Sequence, residues 1–285
     1  MSALCDDWQA VTDVLRQFGM AAARRIALGF GLGVVFLLAS FGGSEKAVPM
    51  SEGSNIPFHA APLGLRDPVA ARPACKPAGM SRVSYAVVVR GDDVVARAKP
   101  GGGAILGRFP HTDQNGYPSV FGVIDTKVGS HCGTTFYRVQ LPVAPNGSTG
   151  WVAAWAVRLL VVHTRIEISL SEHRLVLFRN GRVAFRAKVA VGTPDTPTPT
   201  GDYFVNERFV LANPSGPFGV AALGISAHST VLKNWVQGGP IGIHGTNEPT
   251  LIGDAASHGC VRLFNSDMSR LFKLAPAGTP VAITS

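Results

Sequence analysis

Between Arg165 and Val191 apolar residues recur at every second position. Ile166, Ile168 and Leu170 alternate with Glu167 and Ser169, and Val183, Phe185, Ala187, Val189 and Val191 alternate with mostly polar neighbours. A period of two turns one side of a strand to a core and the other to water, whereas a helix would scatter the same residues around its circumference. Asn180-Gly181 lies between the two runs and tolerates the positive φ angles of a tight hairpin turn. The stretch predicts a hairpin of half-buried strands and therefore a sheet-based fold.

Further short strands are predicted around Tyr203–Val205, Gly242–His244 and Val281–Ile283. The one persuasive helix runs from about Ser266 to Leu274, with Asn265 or Ser266 as its cap and Leu271 and Leu274 on one face. Upstream, the apolar runs Tyr85–Val89, Asp93–Ala96, Phe136–Val139 and Gly150–Val152 are punctuated by Gly101-Gly102-Gly103, Asn115-Gly116 and Pro145-Asn146-Gly147. That spacing predicts a small β-barrel over 83–160. The expected class is mainly β: this barrel, then a β-rich domain at 163–285 with one or two short helices.

The first 82 residues are of another kind. Arg24-Arg25 precedes Ile26–Phe41, sixteen residues without a charge. That is short of the ~20 residues that cross a bilayer comfortably but suits a signal-peptide core, and Ser40-Phe41-Gly42 offers a small-x-small cleavage site. The long segment before it, with Cys5, Asp6 and Asp7, argues for an uncleaved signal anchor instead. In both cases residues 1–43 act as a cytoplasmic stub with a targeting segment, and everything beyond lies outside the cytoplasm, membrane-anchored through 26–41 or secreted. Residues 44–82, rich in Pro, Gly, Ser and Ala, read as a linker. A formal net charge of +8 suits an anionic wall or membrane surface. Export and the absence of a recognisable nucleic-acid motif argue against nucleic acid as a partner.

Chemistry concentrates in His244-Gly245-Thr246-Asn247-Glu248-Pro249 and Ser257-His258-Gly259-Cys260-Val261-Arg262-Leu263. A cysteine becomes a nucleophile when an imidazolium or aligned N–H groups stabilise its thiolate. His244 can serve Cys260 in that way and return the proton to a leaving amine. The N–H groups of Gly259 and Cys260 are candidate donors to an oxyanion, which makes acyl transfer the natural reaction class. Two other readings stand beside it: a buried structural cysteine, and a zinc site built from His244, His258 and Cys260 with an open fourth position. No histidine follows Cys260, so the papain-like order does not apply. Cys75 and Cys132 would both be exported and form a candidate disulfide, leaving Cys260 as the odd thiol.

The HGTNEP and ASHGCVRL segments, with Thr196-Pro197-Thr198-Pro199-Thr200-Gly201-Asp202-Tyr203 and Gly278-Thr279-Pro280-Val281, resemble the L,D-transpeptidase family with the YkuD-type catalytic domain over roughly 165–285. The ending of the 83–160 region, Tyr137-Arg138-Val139 and Gly150-Trp151-Val152-Ala153, looks like a bacterial SH3-like module for wall binding or placement. The family resemblance implies peptidoglycan stem peptides as donor and acceptor. It implies that Cys260 attacks the carbonyl of the third stem residue, that D-alanine leaves, and that an amine from another stem resolves the thioester into a 3→3 cross-link. In the same terms His244 exchanges the proton, the Gly245 carbonyl orients its ring, and Gly239, Ser257, His258 and Gly259 shape the site. Arg262 is expected to hold a substrate carboxylate. No cofactor and no metal is called for. Water or a wall protein could replace the stem amine as acceptor, and an inactive wall-binding protein is the reading outside catalysis.

Overall fold

Alternation along the strands does partition the side chains between core and solvent, in two large sheets and one two-stranded pair among the described residues. The structure is a computed structural model and describes residues 83–130, 133–235 and 238–285. The targeting segment, the linker, Cys5, Cys75 and Cys132 lie outside the described residues, and with them the candidate disulfide. Among the described residues the chain is mainly β, with a single α-helix, and no helix is long and apolar enough to cross a membrane.

The first sheet comprises β1 (Ser84–Val89), β2 (Asp93–Lys99), β3 (Gly102–Pro110), β4 (Val120–Val128), β5 (Thr134–Gln140), β6 (Thr149–Ala153) and β7 (Val157–Val162). Its order is β3-β2-β6-β5-β4-β1-β7, antiparallel throughout. The expected small barrel thus takes the form of a seven-stranded ladder whose end strands, β3 and β7, are not paired with each other among the described residues. Val87, Val89, Phe121, Val139 and Val152 fill its core.

The second part holds β8 (Thr164–Ser169), β9 (Arg174–Arg179), β10 (Arg182–Lys188), β11 (Val191–Gly192), β12 (Gly201–Val210), β13 (Ala221–His228), β14 (Pro240–His244), β15 (Ala255–Ser257), β16 (Val261–Arg262), α1 (Asn265–Leu274) and β17 (Pro280–Thr284). Eight of the strands form one sheet, β10-β9-β8-β17-β12-β13-β14-β16, while β11 and β15 pair alone. The predicted hairpin is corrected here. Asn180 and Gly181, at φ 52° and 75°, join β9 to β10, and β9 also pairs with β8, so two successive hairpins stand where one was expected. A register shift between Val183 and Phe185 breaks the strict alternation: Phe185 is buried while Val183 is exposed.

Ile166, Ile168, Leu177, Leu223 and Ile243 build the second core, and Met268 and Leu271 of α1 close it. The helix start differs from expectation: Phe264 occupies the cap position without a side-chain cap, and Asn265 lies inside the helix. Its Oδ1 accepts the Thr246 N–H at 3.0 Å instead. The two sheets are joined through β12. Tyr203 and Val205 enter the second core, and Phe204, on the opposite face, enters the first. Gly122 leaves room for that ring, since a Cβ there would sit 3.2 Å from it. Asn146 adds a two-way bond to the His228 backbone, 2.8 Å in each direction.

Candidate active site

His244 ends β14 and Cys260 immediately precedes β16, which runs parallel to β14 with Ile243 opposite Val261 and His244 opposite Arg262. Residues two apart share a strand face, so Gly242 and His244 look the same way as Cys260 and Arg262. This register brings the two sequence-predicted partners together. It also adds a contact the sequence did not suggest: the Gly242 N–H donates to Cys260 Sγ at 3.4 Å. An N–H aimed at sulfur favours negative charge there. The Cys260 side chain is a half-buried thiol.

The His244 ring is buried and packs edge to face on Phe218, with centroids 4.9 Å apart. Its Nδ1 lies 2.6 Å from the Gly245 carbonyl. A carbonyl only accepts, so Nδ1 carries the proton and the Nε2 lone pair is the basic one. Burial pushes the imidazole pKa down to about 4, the Arg262 charge pushes the same way, and the Gly245 bond opposes both. At neutral pH the ring is therefore uncharged. A standing imidazolium beside the thiol, one of the two activations read from the sequence, gives way to a neutral ring whose Nε2 is free of the Gly245 bond.

Ser257 ties the cysteine loop. Its Oγ donates to the Cys260 carbonyl at 2.5 Å and accepts the Gly259 N–H at 3.1 Å, across the turn that Gly259 makes at φ 114°. One of the two predicted oxyanion donors is thereby committed in the resting structure. The turn Thr193–Thr196 braces this loop from outside: the Thr193 N–H and the Thr196 hydroxyl both donate to the Ser257 carbonyl, at 3.0 and 3.1 Å. Gly239 sits at the neck of the loop leading into β14, where its carbonyl takes the Ser229 N–H at 2.7 Å.

Arg262 is buried, and its Nη1 pairs with Glu248 Oε2 at 3.0 Å. The guanidinium already holds a carboxylate of this chain, while its buried Nε has no partner within the protein. His258 is exposed and tilted against Trp235, 5.9 Å between centroids. Among the described residues no three His, Cys, Asp or Glu side chains converge as metal ligands, so His244, His258 and Cys260 do not form the zinc cluster considered above. A cleft lined by Phe218, Leu232, Trp235, Ile241, His244 and Cys260 opens onto the thiol. Phe218 and Trp235 were not picked out from the sequence, and Gly242, Glu248 and Asn265 were read there only as part of a strand, a motif and a helix cap. Only the glycine alternating with His244 carried a readable signal, as a place where a backbone lies open.

Residues 163–283 match the family model of the L,D-transpeptidase catalytic domain, YkuD. A Bacillus subtilis relative that bears the name L,D-transpeptidase YkuD is 39% identical over 118 residues, covering 41% of this chain and 64% of its own length. A second from the same species, YqjB, is 30% identical over 122 residues, covering 39% and 66%. The chain thus spans a little under two thirds of the length of these relatives. Among solved structures, the catalytic domain of the Enterococcus faecium L,D-transpeptidase is 28% identical, covering 42% of this chain and 96% of that one, with a TM-score of 0.32.

Proposed function

We propose, from the YkuD-type L,D-transpeptidase catalytic domain at residues 163–283, that the chain cross-links peptidoglycan stem peptides through a thioester on Cys260. The observation that carries the reading is the placement of His244 and Cys260 on one face of the parallel β14–β16 pair, with the Gly242 N–H on the sulfur. His244 Nε2 takes the thiol proton as Sγ attacks the carbonyl of the third stem residue. The C–N bond to D-alanine then breaks, and the same imidazole returns the proton to the departing amine. An amine of a second stem attacks the thioester, loses its proton to His244, and restores the thiol as the 3→3 amide forms. Gly245 keeps Nδ1 occupied throughout, so that Nε2 works alone. Ser257 and Gly259 hold the loop in its turn, and Arg262, paired with Glu248, lines the same cleft. The segment 83–160 places the catalytic domain against an anionic wall outside the cytoplasm, in keeping with the basic charge.

Intact-mass spectrometry of the full chain with a carbapenem, and with a tetrapeptide donor, tests this directly. The expected result is one covalent adduct on Cys260 with each, absent in Cys260→Ala, and 3→3 dimers when an acceptor stem is added. Adducts that persist in Cys260→Ala, or none in the parent chain, would overturn it. Free tetrapeptide trimmed to tripeptide without dimers would instead assign water as the acceptor.

A further inference from the structure

Between His163 and Lys188 the chain carries six basic residues, Arg165, Arg174, Arg179, Arg182, Arg186 and Lys188, against two acidic ones. Strands β8, β9 and β10 thus hold +4 of the formal +8, and all six cations are exposed. Both acids are already matched: Arg165 Nη2 meets Glu167 Oε1 at 2.6 Å, and Arg174 pairs with Glu172. Arg179, Arg182, Arg186 and Lys188 make no ion pair among the described residues.

Register concentrates the excess at the hairpin tip. Arg179 and Arg182 stand directly opposite each other across Asn180-Gly181, which sets their Cβ atoms roughly 5 Å apart. Like charges in that position repel, and neither has a carboxylate partner to offset it. The tip itself is pinned: the Asn180 N–H donates to the His163 carbonyl at 2.8 Å, and Thr164 Oγ1 lies 2.7 Å from Thr279 Oγ1.

Beside the tip runs a cleft at the passage from the first sheet to the second. Ser84 and Val162 line one side, and His163, Arg165, Asn180 and Arg182 the other. No acidic residue lines it. Its aromatic, Phe178, carries the Arg165 guanidinium over its ring, 5.1 Å from the centroid, and so is taken as a stacking platform for a base. Val183 is the only large apolar side chain exposed between His163 and Lys188, too little to insert into a bilayer. Charge on an edge strand also discourages edge-to-edge pairing, and Arg186 and Lys188 on β10 serve that end. That purpose accounts neither for Arg179 on the inner strand β9 nor for an acid-free cleft.

We propose that the β9–β10 tip and the cleft beside it bind a linear phosphodiester polymer, one phosphate between Arg179 and Arg182 and the chain running on past Arg165. An anion at that point turns the opposed pair from a repulsion into a bridge. Five of the six cations are arginines, whose planar forks grip phosphate oxygens two at a time. Strand β10 is one end of the eight-stranded sheet and β16, which follows Cys260, is the other. The polymer site is therefore separate from the thiol and does not rest on the transpeptidase reading.

Fluorescence anisotropy of end-labelled poly(glycerol phosphate), titrated with the full chain across a salt series, tests this. Affinity for the parent is expected to fall steeply with salt. Arg179→Gln combined with Arg182→Gln should weaken binding about tenfold and cut the log–log salt slope by about two. Lys127→Gln, which removes an exposed cation of the first sheet, should leave both near the parent's. Because Arg182→Gln alone relieves the repulsion, its urea midpoint should lie at or above the parent's, which separates loss of binding from loss of fold. No binding by the parent, a double variant that binds like it, or an equal loss with Lys127→Gln overturns the proposal. Arginine-dependent binding that is tighter for phosphatidylglycerol vesicles, or for single-stranded DNA with as many phosphates, overturns it in favour of a membrane or a nucleic acid. Carbapenem acylation of Cys260 in the double variant is expected at the parent's rate, and a change in it would overturn the assignment of a separate site.

Discussion

His244 Nδ1 donates to the Gly245 carbonyl at 2.6 Å, which fixes the tautomer and leaves Nε2 as the base. With the pKa pushed down to about 4 by burial, that base stays unprotonated over the whole neutral range. The acylation rate of Cys260 by a carbapenem should therefore hold from pH 7 to pH 5 and fall only as pH 4 is approached. An inflection near 6.5 would mean that the ring is solvated. His244→Ala should slow acylation by about 10²- to 10⁴-fold. Stability follows the same group. Its folded pKa lies below the unfolded value, so its contribution is complete above about 6.5 and is lost as pH falls through 4, on the order of 3 kcal/mol.

Gly245 has a second constraint. A Cβ there would collide with Asn265 Oδ1, the atom that accepts the Thr246 N–H, and one on Gly219 would meet the same oxygen. Gly245→Ala should destabilise the chain by about 1–3 kcal/mol in urea unfolding and slow acylation, because the carbonyl that orients His244 moves with it. Asn265→Ala in the same chain removes the colliding atom and should recover part of the loss. Strictly additive effects of the two substitutions would show that they do not share a contact.

Much of this was readable beforehand and some could not have been. Asn180-Gly181 announced its turn, because only a few residues accept positive φ at both central positions, and His244 and Cys260 announced a reaction through their chemistry alone. The strand Arg174–Arg179 was passed over, since its neighbours on either side already completed a plausible hairpin. Ala221–His228 was missed for a different reason: its small residues and glycine carry little alternation, and its place between β12 and β14 is set by long-range pairing. Long-range register also determines that Gly242 meets Cys260, that Phe218 lies on His244, and that Phe204 leaves its own core for the neighbouring one. Spacing along the chain says nothing of any of these.

Arg262 was expected at a substrate carboxylate and is found on Glu248, 9% against 36% side-chain exposure. Removing Glu248 leaves a buried cation whose Nε is already unpaired. Glu248→Ala should cost about 1–3 kcal/mol, less than for a fully buried pair because the carboxylate is partly solvated. Arg262→Lys should not match the parent either, since a compact ammonium cannot reproduce the planar guanidinium that reaches the Glu248 oxygen. Urea midpoints of the two variants and the parent decide this; a Glu248→Ala chain as stable as the parent would mean that the pair is only a surface contact.

Glu207 gives the chain an unusual alkaline weakness. Its pKa is raised to about 8 by burial and by Asp113, so the folded state holds a proton that the unfolded state releases above about 4.5. Between those values the unfolded chain binds fewer protons, and stability falls as pH rises, the reverse of a salt-bridged carboxylate. The loss amounts to a few kcal/mol by pH 9, complete once the folded carboxyl has also ionised. Glu207→Gln keeps the shape and cannot ionise. Its urea midpoint should lie close to that of the parent at pH 5 and clearly above it at pH 9. Curves that run parallel across this range would place the Glu207 carboxyl in solvent.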